Sequence, residues 1–161
     1  MTKRVLGVVA LLLGLAFATA ARCDDGKLDV LVKFESGIRG LAVATFTTSD
    51  GQDRVGALSW RLGPERNAFA LRLDQWDAIF DLWKKATRAQ GAAWKVIGSV
   101  AETGTSDISR ITIKSGPGVA LSVASAKGGR IDYVLEPADF ARFEQAMRDM
   151  KASLEAGPAK K

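Results

Sequence analysis

Apolar residues in this chain form one unbroken run near the start and then a long succession of short alternations. The run occupies residues 5–18, directly behind Lys3 and Arg4, and gives way to the small residues Ala18, Thr19, Ala20 and Ala21 before charge returns at Arg22. From Leu28 the period becomes two. Leu28, Val30, Val32 and Phe34 alternate with Asp29, Leu31, Lys33 and Glu35, which predicts a half-buried strand. A glycine-bearing turn at 36–40 leads into a β-branched run over 41–48, and Ser49-Asp50-Gly51 marks a tight turn. Residues 55–62 predict a third strand, residues 63–67 a Gly-Pro turn, and residues 68–73 a fourth strand.

The period then lengthens to that of a helix. Trp76, Ile79, Phe80, Trp83 and Ala86 fall on one helical face, with Asp74 placed to cap the start. Lys84, Lys85 and Arg88 suit the negative end of the helix dipole, and Gly91 is placed to close it. The order then repeats. Trp94, Val96, Gly98 and Val100 alternate, a polar turn covers 102–107, and Ser109, Ile111 and Ile113 alternate next. Ser115-Gly116-Pro117-Gly118 turns the chain into Val119, Leu121 and Val123, and Lys127-Gly128-Gly129-Arg130 turns it into a strand over 131–135. Glu136-Pro137 opens a second helix whose apolar stripe is Phe140, Phe143, Met147, Met150 and Leu154, ended by Gly157-Pro158.

The two helices align at a fixed offset, Trp76 on Phe140, Ile79 on Phe143 and Trp83 on Met147. The expected fold class is therefore α+β: a tandem ββββα repeat, mostly antiparallel, with two amphipathic helices in a single domain. That domain spans 28–156, with pseudo-repeats 28–91 and 92–156. A four-stranded sheet with one helix covers one face only, and a chain of roughly 65 residues is marginal as an independent core, so the halves are expected to share an interior.

The apolar run changes the picture of where the domain works. A positive start, a short apolar stretch and an Ala-x-Ala site are the three parts of a secretory signal peptide, here residues 1–20 with cleavage after Ala20. Fourteen apolar residues fall short of the roughly 20 that span a bilayer. The expectation is a periplasmic or secreted protein with a flexible tail over 21–27, a disordered tail over 157–161 and no transmembrane segment after cleavage. Removing Lys3 and Arg4 from 23 basic residues leaves 21 against 18 acidic ones, a mild balance that serves solubility more than any one partner. Cys23 is the only cysteine, and Arg22 stands where lipidation needs a small residue. A free thiol and an intermolecular disulfide are both compatible with its position; an internal disulfide is not.

Candidate chemistry is sparse. Without histidine the chain lacks the base of Ser-His-Asp and Cys-His catalysis and any imidazole metal ligand, and with a single cysteine it lacks a thiolate zinc site or a redox pair. No cofactor, metal or catalytic residue is expected, and the chain reads as a non-enzyme. Asp24-Asp25 and Asp50 with Asp53 are close carboxylate pairs, which makes a carboxylate-dependent hydrolase a remote alternative; solvated turn residues is the plainer reading. The basic residues offer more. If Arg61, Arg72, Arg110 and Lys114 shared one open sheet face near Arg130, they could hold anionic groups while Trp60 stacked on a base. Equally, they are the solvated sides of half-buried strands.

In element order from Leu28 to Leu154, the chain resembles the purine-rich-element-binding (PUR) repeats and the related Whirly fold, tandem ββββα proteins that bind single-stranded nucleic acid on their sheet faces. That resemblance implies a sheet face as the binding surface and nucleic acid as one partner class, whereas the export signal points away from nucleic acid. No motif of the family carries over to particular residues. The leading expectation is an exported, non-enzymatic binding module whose partner is a protein or a cell-envelope component. The alternative is a binder of anionic polymer or single-stranded nucleic acid through Trp60, Arg61, Arg72, Arg110 and Lys114.

Overall fold

The computed structural model describes residues 27–47, 51, 53–101, 110–124 and 129–157. The expected signal peptide with its Ala20 site, Cys23, Asp24, Asp25 and Asp50, the 102–107 turn and most of the final tail lie outside those residues.

Two antiparallel four-stranded sheets are each followed by a helix, which is the tandem ββββα arrangement. The first sheet runs β1 (Lys27–Ser36), β2 (Arg39–Thr47), β3 (Arg54–Leu62) and β4 (Glu65–Leu71), with α1 (Leu73–Arg88) behind it. The second runs β5 (Lys95–Ala101), β6 (Arg110–Ser115), β7 (Val119–Ala124) and β8 (Arg130–Leu135), then a 3₁₀ turn over Pro137–Asp139 and α2 (Phe140–Ala156). Gly37, with φ +57°, supplies the left-handed residue of the two-residue β1–β2 hairpin. Among the described residues no helix is long and apolar enough to cross a membrane.

Several boundaries differ from the sequence expectation for local reasons. The turn at 63–67 shrinks to Gly63-Pro64, so Glu65, Arg66 and Asn67 enter β4 opposite Leu62, Arg61 and Trp60. Arg72, not Asp74, stands at the N-cap of α1, where its backbone N–H donates to Gln75 Oε1 at 3.2 Å. Asp74 instead lies in the first turn and accepts two hydrogen bonds from the Arg72 guanidinium, both 3.1 Å. That hydrogen bonding holds its carboxyl below the ordinary carboxylate range. The helix closes at Ala89, and Gly91 is used elsewhere: its N–H donates to Gly116 O at 3.1 Å.

The largest departure is a bulge in the first strand of each unit. Val30 opposes Ala44 while Val32 opposes Val43, so Leu31 is an extra residue; Val96 opposes Lys114 while Gly98 opposes Ile113, so Ile97 is another. Each bulge shifts the side-chain alternation by one residue. Leu28 and Val30 therefore share a face with Ala44 and Phe46, whereas Val32 and Phe34 share the opposite face with Val43 and Leu41. In the same way Val96 faces away from Gly98 and Val100.

The helices are exchanged between the units. α1 packs on the second sheet and α2 on the first. A Cβ added at Gly98 would meet the Leu82 side chain of α1 at 2.6 Å, so the missing side chain admits the helix. Ser115 Oγ of β6 donates to Ala86 O of α1 at 2.7 Å. On the other side, the Phe34 ring of β1 lies 6.3 Å from Phe143 of α2. One hydrophobic core, including Leu41, Leu58, Trp60, Ile79, Trp83, Ile113, Leu121, Phe143 and Met147, joins both sheets and both helices. Three buried indoles of the first unit fasten it to the second. Trp60 Nε1 donates to Leu121 O at 3.0 Å, Trp76 Nε1 to Met147 O at 2.7 Å, and Trp83 Nε1 to Glu144 Oε1 at 3.0 Å. Each unit thus completes the other's interior, the physical reason for a single domain.

A candidate binding face on the second sheet

With the helices on the inner faces, each sheet turns its other face outward, and strand register determines which side chains it carries. On the first sheet the outer face is small and closed. Ala44, Phe46, Ala57 and Ala70 are buried there in a cluster with Leu28, Val55 and Ala68 against it. At its far end Arg61 stands opposite Arg66 and pairs with Glu35 at 3.4 Å. Arg66 Nη1 donates to Gly63 O at 2.7 Å, and burial, followed by the Arg61 charge, presses its pKa below the ordinary arginine value.

The second sheet's outer face is different in character. One row across it is Val96, Lys114, Ala120 and Val134; the next is Ser99, Thr112, Ser122 and Asp132; beyond that come Ala101 with Arg110, and Ala124 with Arg130. Val96 is 64 % exposed and Val134 44 %. Trp94, two residues ahead of Val96, is 46 % exposed and rests on the β6–β7 turn, where a Cβ at Gly116 would fall 2.5 Å from its indole. That turn is tied down by the bond between Gly91 N–H and Gly116 O. The indole is therefore an open ring on a fixed backbone seat.

Among the described residues Arg110, Lys114 and Arg130 make no ion pair and no side-chain hydrogen bond, unlike Arg39, Arg54, Arg61, Arg142 and Arg148. Between Arg110 with Arg130 and the row of Val96, Lys114 and Val134 lie two buried polar atoms without a partner among the described residues, Ser122 Oγ and Asp132 Oδ1, on residues that oppose each other across β7 and β8. Orphaned polar atoms are uncommon in a sheet interior, and the first sheet's outer face carries one too, at Ser59 Oγ.

The basic face expected from the sequence is divided over three places. Arg110 and Lys114 share the second sheet's outer face with Arg130. Arg61 is on the first sheet, matched by Glu35, and Arg72 is at the start of α1, matched by Asp74. Trp60 corrects the expectation outright: it is fully buried, its N–H is spent on Leu121 O, and it offers no ring to stack upon. The residue that sequence reasoning missed is Trp94. Read as strict period two, it belonged to the core with Gly98 and Val100; the bulge at Ile97 turns it outward. Gly98 was the one available signal, since a glycine inside a strand pattern marks a bulge or a close backbone approach.

Asp53, half of one candidate carboxylate pair, is exposed. Among the described residues no three acidic, cysteine or histidine side chains gather into a metal-binding group. Comparison with protein-family models, with curated proteins and with solved structures finds no match to this chain.

Proposed function

We propose that the chain is an exported, non-enzymatic binding module that engages an envelope component through the outer face of its second sheet. The observation that carries this is a coincidence: exposed Trp94, Val96 and Val134 stand on the same face as the unmatched Arg110, Lys114 and Arg130. Exposed apolar side chains gathered on one face beside unpaired cations are a combination that suits an interaction site. Export is supported by Lys3-Arg4, the apolar run over 5–18 and Ala18-Thr19-Ala20. The nucleic-acid alternative in its original form loses the stacking residue it named, because Trp60 is interior.

The test compares the exported protein with a variant carrying Trp94→Ala, Val134→Ser and Lys114→Glu for saturable binding to the native envelope fraction. Arg72→Glu, on neither face, is the control. Binding lost in the triple variant and kept in Arg72→Glu supports the reading. Full binding by the triple variant refutes the site, and an endogenous product found in the cytosol and starting at Met1 refutes export.

A further inference from the structure

We infer that the ligand of this face is a linear acidic polysaccharide, an inference that rests on the binding face proposed above. The face is built in zones, and each zone suits a different part of such a polymer. Trp94 presents an indole ring that is nearly half exposed and seated on Gly116. The C–H face of a pyranose packs on such a ring, because its weakly positive hydrogens meet the negative face of the indole. The exposed Val96 and Val134 extend that apolar footing along the same end of the sheet. Next comes the row Ser99, Thr112, Ser122 and Asp132, in which Ser99 is exposed and able to exchange hydrogen bonds with sugar hydroxyls, whereas Thr112 and Ser122 are buried. Beyond it, Arg110 and Arg130 stand two strands apart, about 10 Å, and Lys114 lies four residues along β6 from Arg110, about 13 Å. These three cations, which make no ion pair among the described residues, are placed to meet uronate or phosphate groups recurring along an extended chain.

The same zoning speaks against a folded protein as occupant. Protein interfaces place their apolar, charge-poor part at the centre and their polar part at the rim. Here the centre is Thr112, Ser122 and Asp132, and the apolar side chains are confined to one end. A polymer whose every repeat has an apolar ring face and an anion fits the exposed Trp94 at one end and the cations spaced along the sheet.

The experiment titrates the exported protein with alginate, neutral mannan and a thymidine oligonucleotide at low and high salt, and measures its binding to the native envelope fraction alongside. Isothermal titration calorimetry reads the binding, so that variants lacking Trp94 are followed by the same signal as the unaltered protein. Alginate should bind and mannan should not. Arg110→Glu with Arg130→Glu should lower the slope of log affinity against log salt by about two. Trp94→Ala should cost about tenfold in affinity, with Trp94→Phe restoring most of it and Arg72→Glu leaving binding unchanged. Urea midpoints confirm that each variant is folded. Failure to bind alginate, by a protein whose envelope binding still depends on Trp94, overturns the polysaccharide and leaves the face. Envelope binding indifferent to Trp94 overturns the face itself. Tighter binding of the oligonucleotide through the same residues overturns the polysaccharide in favour of nucleic acid.

Discussion

Two tryptophans that look alike in the sequence have opposite duties in this fold, and exchanging each in turn separates stability from binding. Trp60 is fully buried in β3 and donates its N–H to Leu121 O. Trp60→Phe removes about three heavy atoms of ring and the donor together. Leu121 lies in β7, between β6 and β8, so its carbonyl already belongs to the sheet ladder and the indole uses a second lone pair. The lost bond therefore falls at the low end, about 1 kcal/mol. The vacated ring volume adds about 1–2 kcal/mol of lost burial and cavity. A total of about 2–3 kcal/mol corresponds to a fall in Tm of about 8–12 °C for a domain of this size. Trp94→Ala, at an exposed position, should cost less than about 1 kcal/mol. Urea and thermal unfolding, followed by circular dichroism, measure both. Equal stability of Trp60→Phe and the unaltered protein would refute the interior role. So would a loss of envelope binding in Trp60→Phe at temperatures where it is fully folded.

Three further outcomes follow from the same geometry. Separate fragments 27–91 and 92–157 should show no cooperative unfolding, since each holds the other's helix, whereas mixing them should restore a transition; a cooperative transition in either fragment alone would contradict the exchange. The Tyr133 phenol is raised in pKa by burial and then by Asp139, Glu35 and Glu136, with Arg142 opposing. Its folded value therefore exceeds the unfolded value of about 10, so the stability it contributes is complete below that pH and lost as pH climbs through the folded value. Tyr133→Phe should flatten this alkaline decline in urea midpoints between pH 9 and pH 11, an unchanged decline counting against it. Gly118→Ala would place a Cβ 2.4 Å from the Leu135 backbone oxygen, a contact no side-chain rotation relieves. It should destabilise by about 1–3 kcal/mol, and unaltered stability would contradict the β7–β8 register.

Element order was legible because hydrophobic period is a local property. The stripes Trp76-Ile79-Phe80-Trp83 and Phe143-Met147-Met150 are buried where their spacing placed them. What escaped was set by contacts distant in sequence. Leu28 and Trp94 read as core residues because period two cannot register an inserted residue, and nothing in β1 corresponds to the warning given by Gly98. The pairing of α1 with the second sheet is likewise invisible in either unit alone. Trp60 was mistaken for a surface ring because its neighbour Arg61 is charged, although neighbours on a strand point to opposite faces. The candidate cations were partly legible: Arg110 and Lys114, two apart from each other in alternation, do share a face, while Arg61 and Arg72 belong to other surfaces.

The central claim, that the second sheet's outer face is the working surface, is tested most directly by oxidative labelling of the exported protein with and without its native envelope fraction. Peptide mass spectrometry then reads each tryptophan separately. In the free protein Trp94 should be modified readily and Trp60, Trp76 and Trp83 should not, and on binding Trp94 should become protected together with Val96 and Val134. Undiminished labelling of Trp94 in the bound protein, or protection confined to the first sheet, would contradict the account.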